Sequence, residues 1–194
     1  MNKLRTAKYL KTVNDAATLG ECIAEVAFAG RSNAGKSSIL NMVCENKKLA
    51  RISQRPGQTR AINVFVIGNK RWLVDLPGYG FAHGSKDEIT SWQGMIEGYI
   101  LGRPSLREVY LLVDGNVGAT KLDIQMAGWL DFNNISYCVV ANKCDKISAP
   151  EQVACRNAIA LALRKKPGEI RWVSAKKGTG IRGLQIAIAA TLKL

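Results

Sequence analysis

Histidine is almost missing from this chain: one residue, His83, in 194. That excludes any multi-histidine metal site and most catalysis built on an imidazole. The five cysteines (Cys22, Cys44, Cys138, Cys144 and Cys155) are odd in number and include no C-x-x-C pair. A zinc knuckle or a disulfide framework is therefore not expected, and reduced thiols in a reducing compartment are. No apolar run approaches the roughly 18 residues of a membrane span. The basic start of the chain lacks the apolar block of a secretory signal. Carboxylates are also scarce, 15 Asp+Glu against 28 Lys+Arg, for a formal net charge of +13. That imbalance points to a polyanionic partner (nucleic acid, a ribonucleoprotein or an acidic membrane surface) or to a solvated basic surface. With 47% hydrophobic and 22% charged residues, the composition is that of one ordinary globular domain.

What is present is a regular alternation. Short apolar runs at 23–29, 64–67, 72–74, 109–113, 137–141 and 170–173 are separated by helical patterns, the signature of βαβ units on a mostly parallel sheet. Several runs are apolar nearly throughout, as for strands covered on both faces. Ser148 and Glu151 have capping-box spacing, with Pro150 suited to a first turn. Ile181, Leu184, Ile188 and Leu192 share one face of a final helix. Residues 45–62 carry charge without period and read as a mobile loop; residues 76–87 read as irregular. Residues 1–20 read as a basic, weakly patterned extension, partly disordered, ahead of a single domain over 21–194.

The strongest motif is Gly30-Arg31-Ser32-Asn33-Ala34-Gly35-Lys36-Ser37, followed by Ser38. It fits G-x-x-x-x-G-K-[ST], after an apolar run and before a helix-forming stretch. Glycines there let successive amides point inward as an anion nest at a helix N-terminus. Lys36 would meet the β- and γ-phosphates, and the Ser37 hydroxyl would ligate Mg²⁺. Asp75-Leu76-Pro77-Gly78 closes another apolar run and suits a carboxylate on the Mg²⁺ side with a Gly amide facing the γ-phosphate. Between the two motifs lies Gly57-Gln58-Thr59. Thr59 is the expected second hydroxyl on Mg²⁺, reached when the γ-phosphate holds its loop. Lys36, Thr59 and Gly78 form the expected catalytic set.

Asn142-Lys143-Cys144-Asp145 follows the run 137–141. A carboxylate at Asp145 can accept from the N1–H and the 2-amino group of guanine, and adenine offers neither donor. Sites built on such pairing discriminate by factors on the order of 10⁴. Asn142 can hold the other edge of the base and tie neighbouring loops, and the Lys143 stem can lie along its face. Ser174-Ala175-Lys176 follows the last short run, where a backbone amide could reach guanine O6. GTP and GDP are the ligands these motifs predict.

In this order the motifs look like those of a small GTPase. The runs 27–38, 49–51 with 56–59, and 75–82 (Asp-Leu-Pro-Gly-Tyr-Gly-Phe-Ala), continued by Trp92, Tyr99 and 111–114, resemble the EngB (YihA/YsxC) family over nearly the whole chain. The resemblance implies a Ras-like α/β fold with a mostly parallel six-stranded sheet, one antiparallel edge strand and helices on both faces. It also implies a cytoplasmic GTPase acting in assembly of the bacterial large ribosomal subunit, with rRNA and ribosomal proteins as partners, no membrane span and a monomeric state. The chain departs from the family in having Asn142 where Thr is usual, Phe81 for a usual Tyr, and no basic residue in 115–118.

Many GTPases orient the attacking water with a Gln just after D-x-x-G. Tyr79 stands there and cannot serve in the same way, so slow intrinsic hydrolysis is expected. Asn33 resembles the P-loop Asn that helps hold K⁺ in cation-dependent relatives, making K⁺ a candidate cofactor. Two alternatives stay open: a guanine-nucleotide module that barely hydrolyses and docks on RNA or ribonucleoprotein, and an ATP-dependent nucleotide kinase, which gives no role to Asn142–Asp145.

Overall fold

Seven strands form one sheet in the order β1-β3-β4-β2-β5-β6-β7. The computed structural model describes residues 2–51, 61–80 and 86–194, with residues 86–93 described by backbone alone. The strands are β1 (Lys8–Val13), β2 (Ala24–Gly30), β3 (Ile62–Ile67), β4 (Arg71–Asp75), β5 (Leu106–Asp114), β6 (Tyr137–Asn142) and β7 (Arg171–Trp172). The helices are α1 (Lys36–Val43), α2 (Lys86–Gly102), α3 (Lys121–Phe132), α4 (Ala149–Ala162) and α5 (Ile181–Thr191).

Strand periodicity divides the core between two faces. Val26, Phe28, Tyr110, Leu112 and Val140 pack with Ile39 and Leu40 of α1 and Ile181, Leu184 and Ile188 of α5. The alternate residues Ala27, Ala29, Leu111, Val113 and Val139 pack with Tyr99 of α2, Leu130 of α3 and Ile159 of α4. Every residue of β2 is buried, as a central strand with helices on both sides requires.

The Ras-like α/β fold is as expected, and the sheet has one strand more than the sequence pattern gives. Residues 8–13, within the stretch read as a weakly patterned extension, form β1. It pairs antiparallel with β3, from Lys8 opposite Val66 to Val13 opposite Ile62. β3 in turn pairs antiparallel with β4, so it is the one reversed strand and lies second from the edge. The sequence hides β1 because an edge strand buries little. Tyr9 and Leu10 are exposed, and the register shifts between Tyr9 and Lys11. The buried anchors of this segment are Leu4 and Ala7, just before the strand. Residues 45–51 are also built rather than loose. The buried Asn41 side chain donates to the carbonyls of Lys47 (3.2 Å) and Ala50 (2.9 Å) and accepts from the Ala50 amide (2.7 Å). Ser148 is the N-cap of α4 as expected, but its hydroxyl bonds the Glu151 carboxylate and not the backbone.

The lower end of β2 carries a buried charge. Glu25 is fully buried and accepts from Arg103 Nε (2.6 Å), Ser105 Oγ (2.6 Å) and Tyr99 OH (2.8 Å). Arg103 also donates to the Gly20 carbonyl (3.0 Å) and lies 5.2 Å over the Trp72 ring. Removing one partner of such a pair strands a charge in the core. Arg103→Ala should cost about 3–5 kcal/mol of stability, read as a lower urea midpoint at unchanged slope. Tyr99→Phe should cost about 1 kcal/mol. An unchanged midpoint in Arg103→Ala would show that the pair is not holding this end of the sheet.

Candidate functional site

Gly30, Asp75, Asp114 and Asn142 are the last residues of β2, β4, β5 and β6. The chain leaves the sheet at the same end each time, and there the motifs meet. The phosphate loop requires its glycines. Gly30 has φ +155°, and a Cβ on it would come within 2.6 Å of the Leu112 carbonyl oxygen. Gly35, the N-cap of α1, has φ +96°, and a Cβ there would run into the Asn142 side-chain amide. The amides of Asn33, Gly35, Lys36, Ser37 and Ser38 make no hydrogen bond among the described residues. Five unbonded N–H groups around a helix start suit an anion of several oxygens.

Lys36 is buried and donates to the Gly30 carbonyl (3.1 Å). Burial pushes its ammonium below the usual lysine range, with Asp75 acting in the opposite sense. Asp75 is buried too; desolvation raises its carboxyl, against the pull of Lys36 and of Ser37. Ser37 Oγ donates to Asp75 Oδ2 (2.8 Å), while Oδ1 is buried with no partner among the described residues. Leu76, Pro77 and Gly78 are buried behind it. A Cβ on Gly78 would meet Ser32 Oγ at 2.8 Å and the Ser32 amide nitrogen at 2.9 Å. The Ser32 amide donates to the Tyr79 carbonyl (3.1 Å), and Arg31 and Tyr79 form a β-bridge. The D-x-x-G segment therefore lies flat against the phosphate loop. Gly57, Gln58, Thr59, Phe81 and His83 lie outside the described residues, as does the Trp92 side chain.

At the other end, Asn142 Nδ2 donates to the Ala34 carbonyl (3.0 Å), and its Oδ1 accepts from the Ala175 amide (3.1 Å). Asn142 thus ties three loops, as its sequence position suggests. Lys143, at φ +68°, donates to the Asn33 carbonyl (2.6 Å) and pairs with Asp114 (2.6 Å). Asp145 accepts from Ser174 Oγ (2.5 Å), and that hydroxyl in turn accepts from the Lys177 amide (2.9 Å). With the amides of Ser174 and Ala175 committed to Thr179 and Asn142, the Lys176 amide makes no bond among the described residues. These loops and α1 enclose a cleft of about 610 Å³, bordered by Gly35, Lys47, Lys143, Asp145 and Lys176, within the range of small-ligand sites. Asp114, Asn41 and Lys47 are additions to the residues the motifs singled out. Asp114 had a readable signal, because it ends an apolar run as Asp75 and Asn142 do.

Residues 25–143 match the family described as 50S ribosome-binding GTPase. A probable GTP-binding protein EngB from Cereibacter sphaeroides is 42% identical over 168 residues, 85% of this chain and 77% of that protein. Its counterpart from Hyphomonas neptunium is 44% identical over 176 residues, 88% and 80% of the two chains. The chain belongs to the EngB family of P-loop GTPases. It binds GTP and GDP and is a GTPase. A crystal structure of a probable GTP-binding protein EngB superposes with TM-score 0.72 at 28% identity, covering 88% of this chain and 99% of that one. Era in complex with MgGDPNP and nucleotides 1506–1542 of 16S ribosomal RNA gives TM-score 0.67 at 26% identity, covering 89% and 58%. Among the described residues no helix is long and apolar enough to cross a membrane.

The Asp145 carboxyl is held below the usual range, chiefly by the Ser174 hydroxyl and further by Lys176 and Lys177. A lowered folded value keeps the carboxylate charged until the pH falls through it. Ser174→Ala should raise that value toward the ~3.9 of a free aspartate, so the acid-side loss of GDP affinity should begin at higher pH than in the parent protein. Fluorescent-GDP titrations from neutral pH downward read this; superimposable acid limbs would separate Ser174 from the ionisation of Asp145.

Proposed function

We propose that this chain is a guanine-specific, magnesium-dependent switch with slow intrinsic hydrolysis, acting in assembly of the large ribosomal subunit in the bacterial cytoplasm. The observation that carries the specificity is the seating of Asp145 against Ser174, with Asn142 fixing that loop to the phosphate loop. Phosphates would lie on the five unbonded amides and Lys36, the purine would meet Asp145, and an amide of 174–176 would donate to its O6. Lys143, steadied by Asp114 and Asn33, would lie along the base. The family description as ribosome-binding and the +13 charge support the assembly role.

Ser37 and Asp75 fit a magnesium ion, since Asp75 keeps a buried oxygen without a partner among the described residues, beside the Ser37 hydroxyl. When bound, the ion would draw charge from the β- and γ-phosphates. Thr59, the second proposed magnesium hydroxyl, and Gly57 and Gln58 lie outside the described residues. Tyr79 supports the slow rate: its hydroxyl donates to Asp123 Oδ1 (2.9 Å), so it is committed to α3. The same observation favours a second reading, a binding module that barely turns over. GTP turnover with and without large subunits separates the two, and stimulation by the subunits would support the switch.

Asp145→Asn should invert the preference from guanine toward xanthine nucleotides, and in the parent protein GTP should outcompete ATP by a factor on the order of 10⁴. A variant that kept its GTP preference would remove Asp145 from the base site. Sedimentation with large subunits should show more binding with a non-hydrolysable GTP analogue than with GDP. K⁺ near Asn33 should make subunit-stimulated hydrolysis faster in K⁺ than in Na⁺; equal rates would remove that cation.

A further inference from the structure

Five exposed lysines surround the base end of the cleft: Lys47 and Lys48 from the turn after α1, Lys146 after β6, and Lys176 and Lys177 after β7. Lys47, Lys146 and Lys176 border the cleft itself. Among the described residues none of the five forms an ion pair, whereas their neighbour Lys143 is neutralised by Asp114. Among the described residues bordering the cleft the one carboxylate is Asp145, which already accepts from Ser174. The buried Asn41 fixes the backbone of the turn from which Lys47 and Lys48 project.

Resting on the guanine-nucleotide reading above, the nucleotide draws on this rim only through the pull of Lys176 and Lys177 on Asp145, which leaves Lys47, Lys48 and Lys146 without a part in it. The phosphates belong at the opposite end, on Lys36 and the loop amides, and a purine carries no charge. Like charges gathered on one rim repel one another, the more so at low salt, and a polyanion lying across them relieves that cost by releasing its counterions. We propose that the base-end rim is an RNA-docking surface, on which the phosphates of a single strand cross the mouth of the nucleotide cleft. RNA in that position obstructs nucleotide escape, so the two ligands stabilise each other's binding, and by linkage the coupling is reciprocal.

A fluorescein-labelled oligo(U) of about 20 nucleotides, titrated against the GDP-loaded protein between about 0.05 and 0.2 M salt, tests this. The triple variant Lys48→Ala, Lys146→Ala, Lys177→Ala should lose roughly tenfold in affinity and flatten the log–log salt slope by about 2, near 0.7 for each lost contact. A control triple removing the same charge elsewhere (Lys3→Ala, Lys8→Ala, Lys193→Ala) should stay within about twofold. Saturating RNA should slow release of fluorescent GDP several-fold from the parent protein and leave the rim triple unaffected. Equal losses in both triples, equal competition by polyglutamate, or GDP release indifferent to RNA would each overturn the proposal. So would a rim triple that no longer held GDP, since the lysines would then serve the nucleotide. A parent protein that ignored GDP would sink the nucleotide reading instead; the RNA arms, run without nucleotide, would still decide the rim.

Discussion

One buried side-chain amide fixes the distance between the two halves of the site. Asn142 is 2% exposed, and its two polar atoms are spent on the phosphate loop and on the loop after β7. A buried amide must find partners or cost several kcal/mol, so the two loops are held wherever β6 ends. Gly35 lacks a Cβ at the point where Asn142 crosses it, and the same glycine begins α1 in a left-handed conformation. A side chain at 35 would push the amide off Ala34 and disturb the first turn, whose N–H groups make no bond among the described residues. On the proposed nucleotide reading, phosphate binding and base recognition would therefore not be independent modules; one hydrogen-bonded side chain sets the spacing of the two loops.

The sheet separates stability from chemistry along a single strand. Glu25, near the start of β2, is locked by Arg103, Tyr99 and Ser105, while Gly30, at its end, opens the phosphate loop. Between them, Val26 to Ala29 are shared by both cores. A rigid strand anchored below can carry a backbone above that must accept a φ of +155° and leave amides unbonded. Functional sites draw on such support because their own polar groups are left unpaired within the protein. Asp75 Oδ1, buried one strand away without a partner among the described residues, has the same character.

The legible parts of this chain were those whose residue types have few other uses. G-x-x-x-x-G-K-S and N-K-x-D could be read because glycine at fixed offsets and a carboxylate at a strand end are each required by the geometry. The central strands could be read because burial on both faces leaves only apolar residues. β1 was not legible, since Lys8, Tyr9 and Leu10 face solvent and a register shift breaks the alternation. The turn at 46–50 was not legible either. Its order comes from Asn41, whose three bonds to Lys47 and Ala50 leave no mark in the local pattern. Asp114 lay between the two cases, at a readable strand end but with a role that needs Lys143 brought from 29 residues away.

The segment after D-x-x-G shows how a single substitution class redirects a site. Asp123 accepts from Tyr79 OH on one oxygen and from the Thr120 amide (2.9 Å) and hydroxyl (2.7 Å) on the other. The same carboxylate thus caps α3 and holds the residue that follows Gly78. Burial, with Asp123 next to it, keeps the Tyr79 phenol well above its ordinary range, so it stays a neutral donor. A side chain anchored in this way stiffens the backbone that packs against Ser32, to the benefit of binding. It also commits to α3 the side chain at the position where many GTPases orient water. On the slow-switch reading proposed above, tight packing of the loop and slow chemistry would be two consequences of one hydrogen bond, and acceleration would come from a group brought in by a partner.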